Sequence, residues 1–474
     1  MTTKAPHRRS LSLLAVIALG LSAAACGSAL PHADIVAASR GNAQVGAAAP
    51  GTTSGGTTSQ GGTTGTTSGL PGSTTGSNSG VAGGQTGPGA AATTGPGSSS
   101  GNGSTTADGD HTPIIIGSVG NYSGVPGAIL KYEPITLQVW AKSMNAQGGV
   151  AGHPIQVIVV DDGSDPAHYQ SAVRDLVENK HVIAFVDQGA SQTADAAENY
   201  LESKRIPVVG AGDGNPAWEE SWPYFDLQIP TPPGVAGDLA GAAKYQHATK
   251  IAVLACVEGA VCTTWKNTVP KYAPRYGMKV VYSASVSLTQ PDYTDQCIQA
   301  RRAGADLVIP VGDVGMFHRV FESCTRQGYK PNYVASAPTD LDEQEEGLDN
   351  VVGDNGAFPF DGIPGDPGSD EYLKAMKTYS PNTPLNIYTS LSWATAKLFQ
   401  HVVEQAIGTG KPTSAKILEG LWAIKNFDVG GLSLPLNWPR EKPGGGPPFC
   451  WFPLLFKGGH WTSPSNYKPV CDKP

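Results

Sequence analysis

Residues 145–166 read NAQGGVAGHPIQVIVVDDGSDP, and three acids, Asp161, Asp162 and Asp165, crowd the end of an apolar run. Such a cluster is either a catalytic or metal-binding group or the polar rim of a fold. Just upstream, Leu137, Trp140, Ala141 and Met144 recur at helical spacing, with Pro134 near a first turn. That pattern predicts a helix stopped by Gly148 and Gly149. Gly152-His153-Pro154 then turns the chain into IQVIVVDD, an unbroken apolar run suited to a strand buried on both faces of a parallel sheet. The acids stand where that strand meets water, and Asp165-Pro166 reads as the cap and first position of the next helix. A calcium loop would alternate its acids and place Gly sixth, which DDGSDP does not do. All three acids are therefore left out of the expected site.

Outward from this stretch the pattern repeats. Strand-like runs are PIIIGSV (113–119), VIAFVDQ (182–188) and IPVVGA (206–211). Past PTPPG (230–234) come KIAVLAC (250–256), KVVYSASV (279–286) and ADLVIPVG (305–312). Helical patterns lie between them, and a further helix over 388–407 should stop at Gly408. Two such sets argue for an α/β chain of two doubly wound, Rossmann-like lobes, with 230–234 and 336–360 as crossings. The closing segment, LSLPLNWPREKPGGGPPFCWFPLLFKGGHW, reads as short strands and turns packed on the second lobe.

The N-terminus has a different character. Lys4, Arg8 and Arg9 precede an apolar core from Leu11 to Leu21, then Ala23, Ala24, Ala25 and Cys26. Residues 1–25 read as an export signal, too short and wrongly flanked for a spanning helix. The junction resembles the lipobox of bacterial lipoproteins, in which the Cys is lipidated, although Ala23 stands where Leu is usual. A plain secretory signal is the alternative. From Cys26 to His111 the chain is mostly Gly, Ser, Thr and Ala, too poor in apolar surface to fold. As a coil of roughly 85 residues it would span about 50 Å. A glycosylated stalk is the other reading of the same composition.

Besides Cys26 there are six cysteines, an even number in an exported chain, which suggests disulfides. The expected pairing is sequential: Cys256 with Cys262, Cys297 with Cys324, Cys450 with Cys471. Zinc is disfavoured because no CxxC or CxxH spacing occurs. A net charge of -8 without a basic stripe beside aromatics leaves nucleic acid an unexpected partner.

Several of these segments together resemble the type 1 periplasmic solute-binding proteins of ABC transporters, in particular the branched-chain amino acid (Leu/Ile/Val) group. IIIGSVGNYSG is similar to their first strand and loop, and MNAQGGVAGHPIQVIVVDDGSDP to their "iNaaGGi-G-kielv-Dd-dp" signature. AFVDQGASQTADAA and KRIPVVGAGDGNP resemble the next two strands with their cleft loops. QPDYTDQCIQARRAGADLVI resembles a segment of the second lobe. The likeness runs from about 113 to 460.

This resemblance implies two lobes joined by three crossings that close on a small solute and deliver it to an ABC importer permease. On that basis 112–231 with 358–430 form one lobe, and 232–357 with 431–474 the other. Ligands in open α/β sheets bind beyond the carboxyl ends of strands, which makes the loops there candidates. They are Tyr122 and Ser123 after the first strand, and Ser191, Gln192 and Thr193 after the third. Asp213 and Trp218 follow the fourth, and Glu258 and Asp313 come from the second lobe. Each is equally a turn or capping residue type. Two departures bear on the ligand: the family's second-lobe aromatic falls near Ala260, and its ammonium-binding acid near Met316. An amide, an organic acid or an aromatic acid is thus as open as a branched-chain amino acid.

An enzyme would need a nucleophile, base or metal site; HExxH and GxxxxGK[ST] are missing, and the single GxSxG match, GSSSG at 97–101, lies in the Gly/Ser-rich tract with no strand-like run before it. No cofactor is implied. His153, His168 and His181 are expected at the surface, and His401 packed or solvent-facing on its helix. A sensor reporting ligand occupancy to a membrane partner would share the fold of a transport protein.

Overall fold

The structure, a computed structural model, describes residues 109–473 except 125, 211–214, 216, 337–340 and 342–346. Cys26, the signal, most of the expected tether and Asp213 therefore lie outside the described residues. β1 (Ile114–Gly120) leads into α1 (Tyr132–Ala146), β2 (Ile155–Asp161), α2 (Pro166–Glu178), β3 (Ala184–Val186), β4 (Val208–Val209) and β5 (Tyr224–Phe225). These strands make one parallel sheet ordered β2-β1-β3-β4-β5. Ile114, Ile116 and Val119 are fully buried because helices cover both faces of the sheet. On one face Leu137, Trp140, Ala141 and Met144 of α1 join a core with Trp393 and Phe399. On the other, Tyr169, Val173 and Leu176 of α2 pack with Phe185 and Val208.

The stretch 145–166 folds as its pattern demands. α1 ends where Gly148 and Gly149 take positive φ (99° and 88°), the region that favours glycine. Asp165 caps α2, accepting from the amides of Ala167 at 2.8 Å and His168 at 3.1 Å, with Pro166 in the first turn. His153 corrects the expectation: it is fully buried, not at the surface. Its Nδ1 lies 2.8 Å from Thr112 O and its Nε2 3.0 Å from Gly408 O. Those two carbonyls come from the chain before β1 and from the end of a helix far along the sequence, so no local signal announced the contact. His168 and His181 are exposed, and His401 stacks on Phe427 at 4.2 Å.

After Leu227–Pro230, α3 (Thr231–Gly241) opens the second lobe. There follow β6 (Lys250–Cys256), α4 (Ala260–Tyr272), β7 (Lys279–Val286), α5 (Thr294–Arg302), β8 (Leu307–Val311), α6 (Val314–Arg326) and β9 (Asn332–Tyr333). Their parallel order is β7-β6-β8-β9. A parallel bridge from Val334 to Val352 extends it to β10 (Val351–Asn355). The chain then returns to the first core with α7 (Pro367–Tyr379), α8 (Ile387–Val402), α9 (Ser414–Ala423) and the hairpin of β11 (Lys425–Phe427) and β12 (Leu436–Asn437). Last, β13 (Cys450–Lys457) and β14 (His460–Thr462) add antiparallel strands beside β10.

Residues 431–438, expected with the second lobe, stay with the first. Leu436 pairs with Phe427, and Trp438 meets Phe225 edge-on at 5.4 Å. A short strand carries no local mark of which sheet it will join, and here the hairpin partner decided. The chain returning to the first lobe runs beside this segment: Ala357 bridges Ser433, and Phe358 N donates to Leu432 O at 3.0 Å. The disulfides are Cys256–Cys262, Cys297–Cys324 and Cys450–Cys471. Cys297 and Cys324 tie α5 to α6 inside the core, and Cys450 with Cys471 closes the end of β13.

Candidate ligand-binding site

Residues just past the carboxyl ends of β3, β6 and β8 line one cleft of about 480 Å³, together with the chain crossings. That volume suits a small solute. On the first lobe Ser191 and Gln192 line it, and a buried network explains their placement. Asp162 accepts from Thr193 Oγ1 at 2.6 Å and from Asn121 Nδ2 at 2.8 Å. Asn121 Oδ1 in turn accepts from Ser191 Oγ and from Gln192 N, each at 3.1 Å. Asp162, Asn121 and Thr193 are all buried, so the loops after β1, β2 and β3 are fastened to one another through satisfied polar groups. Asp162 itself does not line the cleft; it positions the residues that do.

Trp218 lines the cleft beside Asn215, its ring edge-on to Tyr224 at 5.0 Å. Three other candidates lie elsewhere. Thr193 turns inward to Asp162. Tyr122 shares a 2.7 Å hydrogen bond with Ser118 Oγ under the β1 loop. Ser123 is exposed and bonds the Asp161 carboxylate. Neither Tyr122 nor Ser123 is among the cleft residues. Asp213 is outside the described residues.

From the second lobe Glu258 and Asp313 both reach the cleft. Burial works against the charge of Glu258, but bonds from Ser287 Oγ (2.6 Å) and Leu288 N (2.9 Å) outweigh it and hold the carboxyl below its ordinary range. Asp313 caps α6, accepting from Met316 N at 2.7 Å. Met316 is buried in the second-lobe core, and Ala260 stands at the cleft at the start of α4. The Cys256–Cys262 disulfide lines the same wall.

Several cleft residues escaped the sequence reading: Trp265 on α4, Tyr388 at the start of α8, Asp226 and Gln228 at the first crossing, and Asp354 and Asn355 at the end of β10 where the chain crosses back. The crossings held the recoverable signal, since chain passing between two lobes must border the space between them. Trp265 and Tyr388 gave none, because an aromatic on a helix is most often core. No group of three or more His, Cys, Asp or Glu among the described residues is arranged to hold a metal ion.

Comparison with known proteins agrees with this architecture. The family described as periplasmic binding protein matches residues 113–445. A branched-chain amino acid ABC transporter protein from Thermus thermophilus, solved with bound valine, superposes with a TM-score of 0.65 at 15% identity, covering 77% of this chain and 97% of that one. An ABC transporter solute-binding protein from R. palustris, in complex with benzoate, gives a TM-score of 0.60 at 14% identity, covering 76% and 98%. The leucine-binding protein LivK from Thermotoga maritima gives 0.61 at 15%, covering 76% and 99%. No curated protein matches the chain. With the matched region spanning most of the sequence and both lobes, the chain belongs to the periplasmic binding protein family.

Proposed function

We propose that this protein captures a small polar solute, an amino acid, amide, or organic or aromatic acid, between its lobes and delivers it to an ABC importer permease. The observation that carries the reading is the cleft itself: strand ends from both sheets and the crossings enclose about 480 Å³. Polar groups of Ser191 and Gln192 are held on one wall, with Trp218 close by. Binding by closure is a population shift, driven by contacts the solute makes in the closed state alone. The export signal and Cys26 support a site of action outside the cytoplasm, on a lipid anchor, and the proteins it resembles support the transport partner. A sensor passing occupancy to a membrane receptor is the second reading; the same cleft serves it.

A thermal-shift screen of metabolites tests the reading. A solute present at about 100 times its Kd should add about 2.7 kcal/mol to stability by mass action. Ser191→Ala with Gln192→Ala should then weaken that solute and leave the unliganded Tm in place. A broad panel without any stabilising solute would remove the basis of the proposal.

A further inference from the structure

The cleft is lined by six carboxylates, Glu219, Glu220, Asp226, Glu258, Asp313 and Asp354. No Lys, Arg or His lines it among the described residues. Three of the six are already engaged within the protein. Asp226 accepts from Gln228 N at 2.8 Å, Glu258 holds the loop after β7, and Asp313 caps α6. Glu219 and Glu220 are exposed. Asp354 differs from all of them: it is 8% exposed, and its buried Oδ2 has no hydrogen-bond partner.

The surroundings of Asp354 hold this carboxylate in an acidic, apolar corner. It sits on β10 where the chain leaves the second lobe, against α3. Gly237 leaves the space it occupies, since a Cβ there would fall 2.1 Å from Asp354 Oδ2 and 2.7 Å from Trp451 Cγ. Asp238, next along α3, is 1% exposed with both carboxylate oxygens unpartnered. Burial pushes the carboxyls of Asp238 and Asp354 well above the usual range, and Asp354 raises Asp238 further. Toward the cleft, a side chain at position 234 would set its Cβ 3.9 Å from Asp354 Oδ1 and 3.8 Å from Trp265 Cζ2. With Ile229 Cδ1 at 3.6 Å from the same point, the Asp354 carboxyl, the Trp265 indole and Ile229 surround one place on the cleft wall, each at van der Waals distance.

We infer that the cleft takes a solute carrying a positive group, an amine, guanidinium or quaternary ammonium, seated between Asp354 and the Trp265 ring. The inference rests on the solute-clamp reading and narrows it. A buried carboxylate without a partner is stabilised by a cation, and an aromatic face attracts the same charge. Carboxylates around a low-dielectric cleft focus a field that concentrates cations and repels anions. An organic or aromatic acid without a cationic group meets carboxylates on the walls and no Lys, Arg or His to pair with among the described residues.

The test is calorimetry and thermal shift on the full chain with three sets of probes: agmatine, putrescine, choline and arginine; benzoate and succinate; acetamide. At least one cationic probe should bind, and neither acid should. Asp354→Asn should weaken that probe by roughly 30-fold or more, as expected when one partner of a buried charge pair is removed. Glu219→Gln with Glu220→Gln should weaken it only a few-fold, and less so in high salt. Binding of benzoate, succinate or acetamide without any cationic probe would overturn the cation inference and leave the clamp intact. A cationic probe bound equally by wild type and Asp354→Asn would overturn the role of Asp354. No binding by any probe would overturn the inference; a solute from the wider metabolite screen would still uphold the clamp. If Asp354→Asn does not fold, the probe panel on wild type decides the charge class, and Trp265→Leu replaces it as the site variant.

Discussion

Asp187 shows what a single buried residue adds to the fold. It follows β3 with φ of 59°, is fully buried, and accepts a hydrogen bond from Ser392 of α8. Burial pushes its carboxyl up to about 7, against the lowering effect of Ser392. A carboxyl whose folded pKa is raised contributes its full stability below the unfolded value, near 4. That stability is lost as pH rises through about 7. Asp187→Asn keeps an acceptor for Ser392 without the charge. It should match wild type at pH 4 and be more stable by on the order of 3 kcal/mol at pH 8, read from denaturant unfolding at both pH values. An unchanged difference between the two pH values would refute the assignment. Asp162 makes the same point about the site. Its place at a strand end is readable from 145–166, and it lies outside the cleft lining. That it would fasten Asn121 and Thr193, and through Asn121 the cleft residue Ser191, is not readable. Those partners are 31 to 72 residues apart in sequence.

Among the elements, those with strong periodicity were legible. α1 is set by Leu137, Trp140, Ala141 and Met144, and β6 and β8 by runs buried on both faces. The sequential disulfides each bracket one local unit, and their contributions should differ. Chain-entropy reasoning gives roughly 3–4 kcal/mol for the Cys297–Cys324 loop and about 2 kcal/mol for the shorter Cys256–Cys262 loop. Cys297→Ser with Cys324→Ser should therefore lower stability more than Cys256→Ser with Cys262→Ser, measured by urea unfolding. The second pair should also alter solute binding, because both of its cysteines line the cleft. Equal affinity in the Cys256/Cys262 variant would show that this wall does not touch the solute. Short strands were the illegible elements. β12 followed its hairpin partner β11 into the first lobe, since two residues carry too little pattern to name a sheet.

For the whole molecule, the contact between the lobes matters most. Leu130, Ile387 and Tyr388 of the first lobe belong to the same buried apolar cluster as Met316 and Phe317 of the second. Ile387→Ser should weaken that contact and lower the closed population, raising the apparent Kd of a bound solute by about 3–10-fold. Small-angle scattering should show a larger unliganded radius of gyration for the variant, with solute restoring the wild-type value. A radius and affinity equal to wild type would place the closing energy elsewhere. Hydrophobic period, helix stops and capping acids are short-range properties, so the chain alone determined an α/β fold in two lobes and the loops from which a site would be built. Tertiary structure decided which loop residues face the cleft and which, like Thr193 and Tyr122, turn inward. It also decided that Asp354 and Trp265 meet at one spot. Burial and the balance of charge in a cleft depend on distances between segments remote in sequence, and only the packed chain sets those distances.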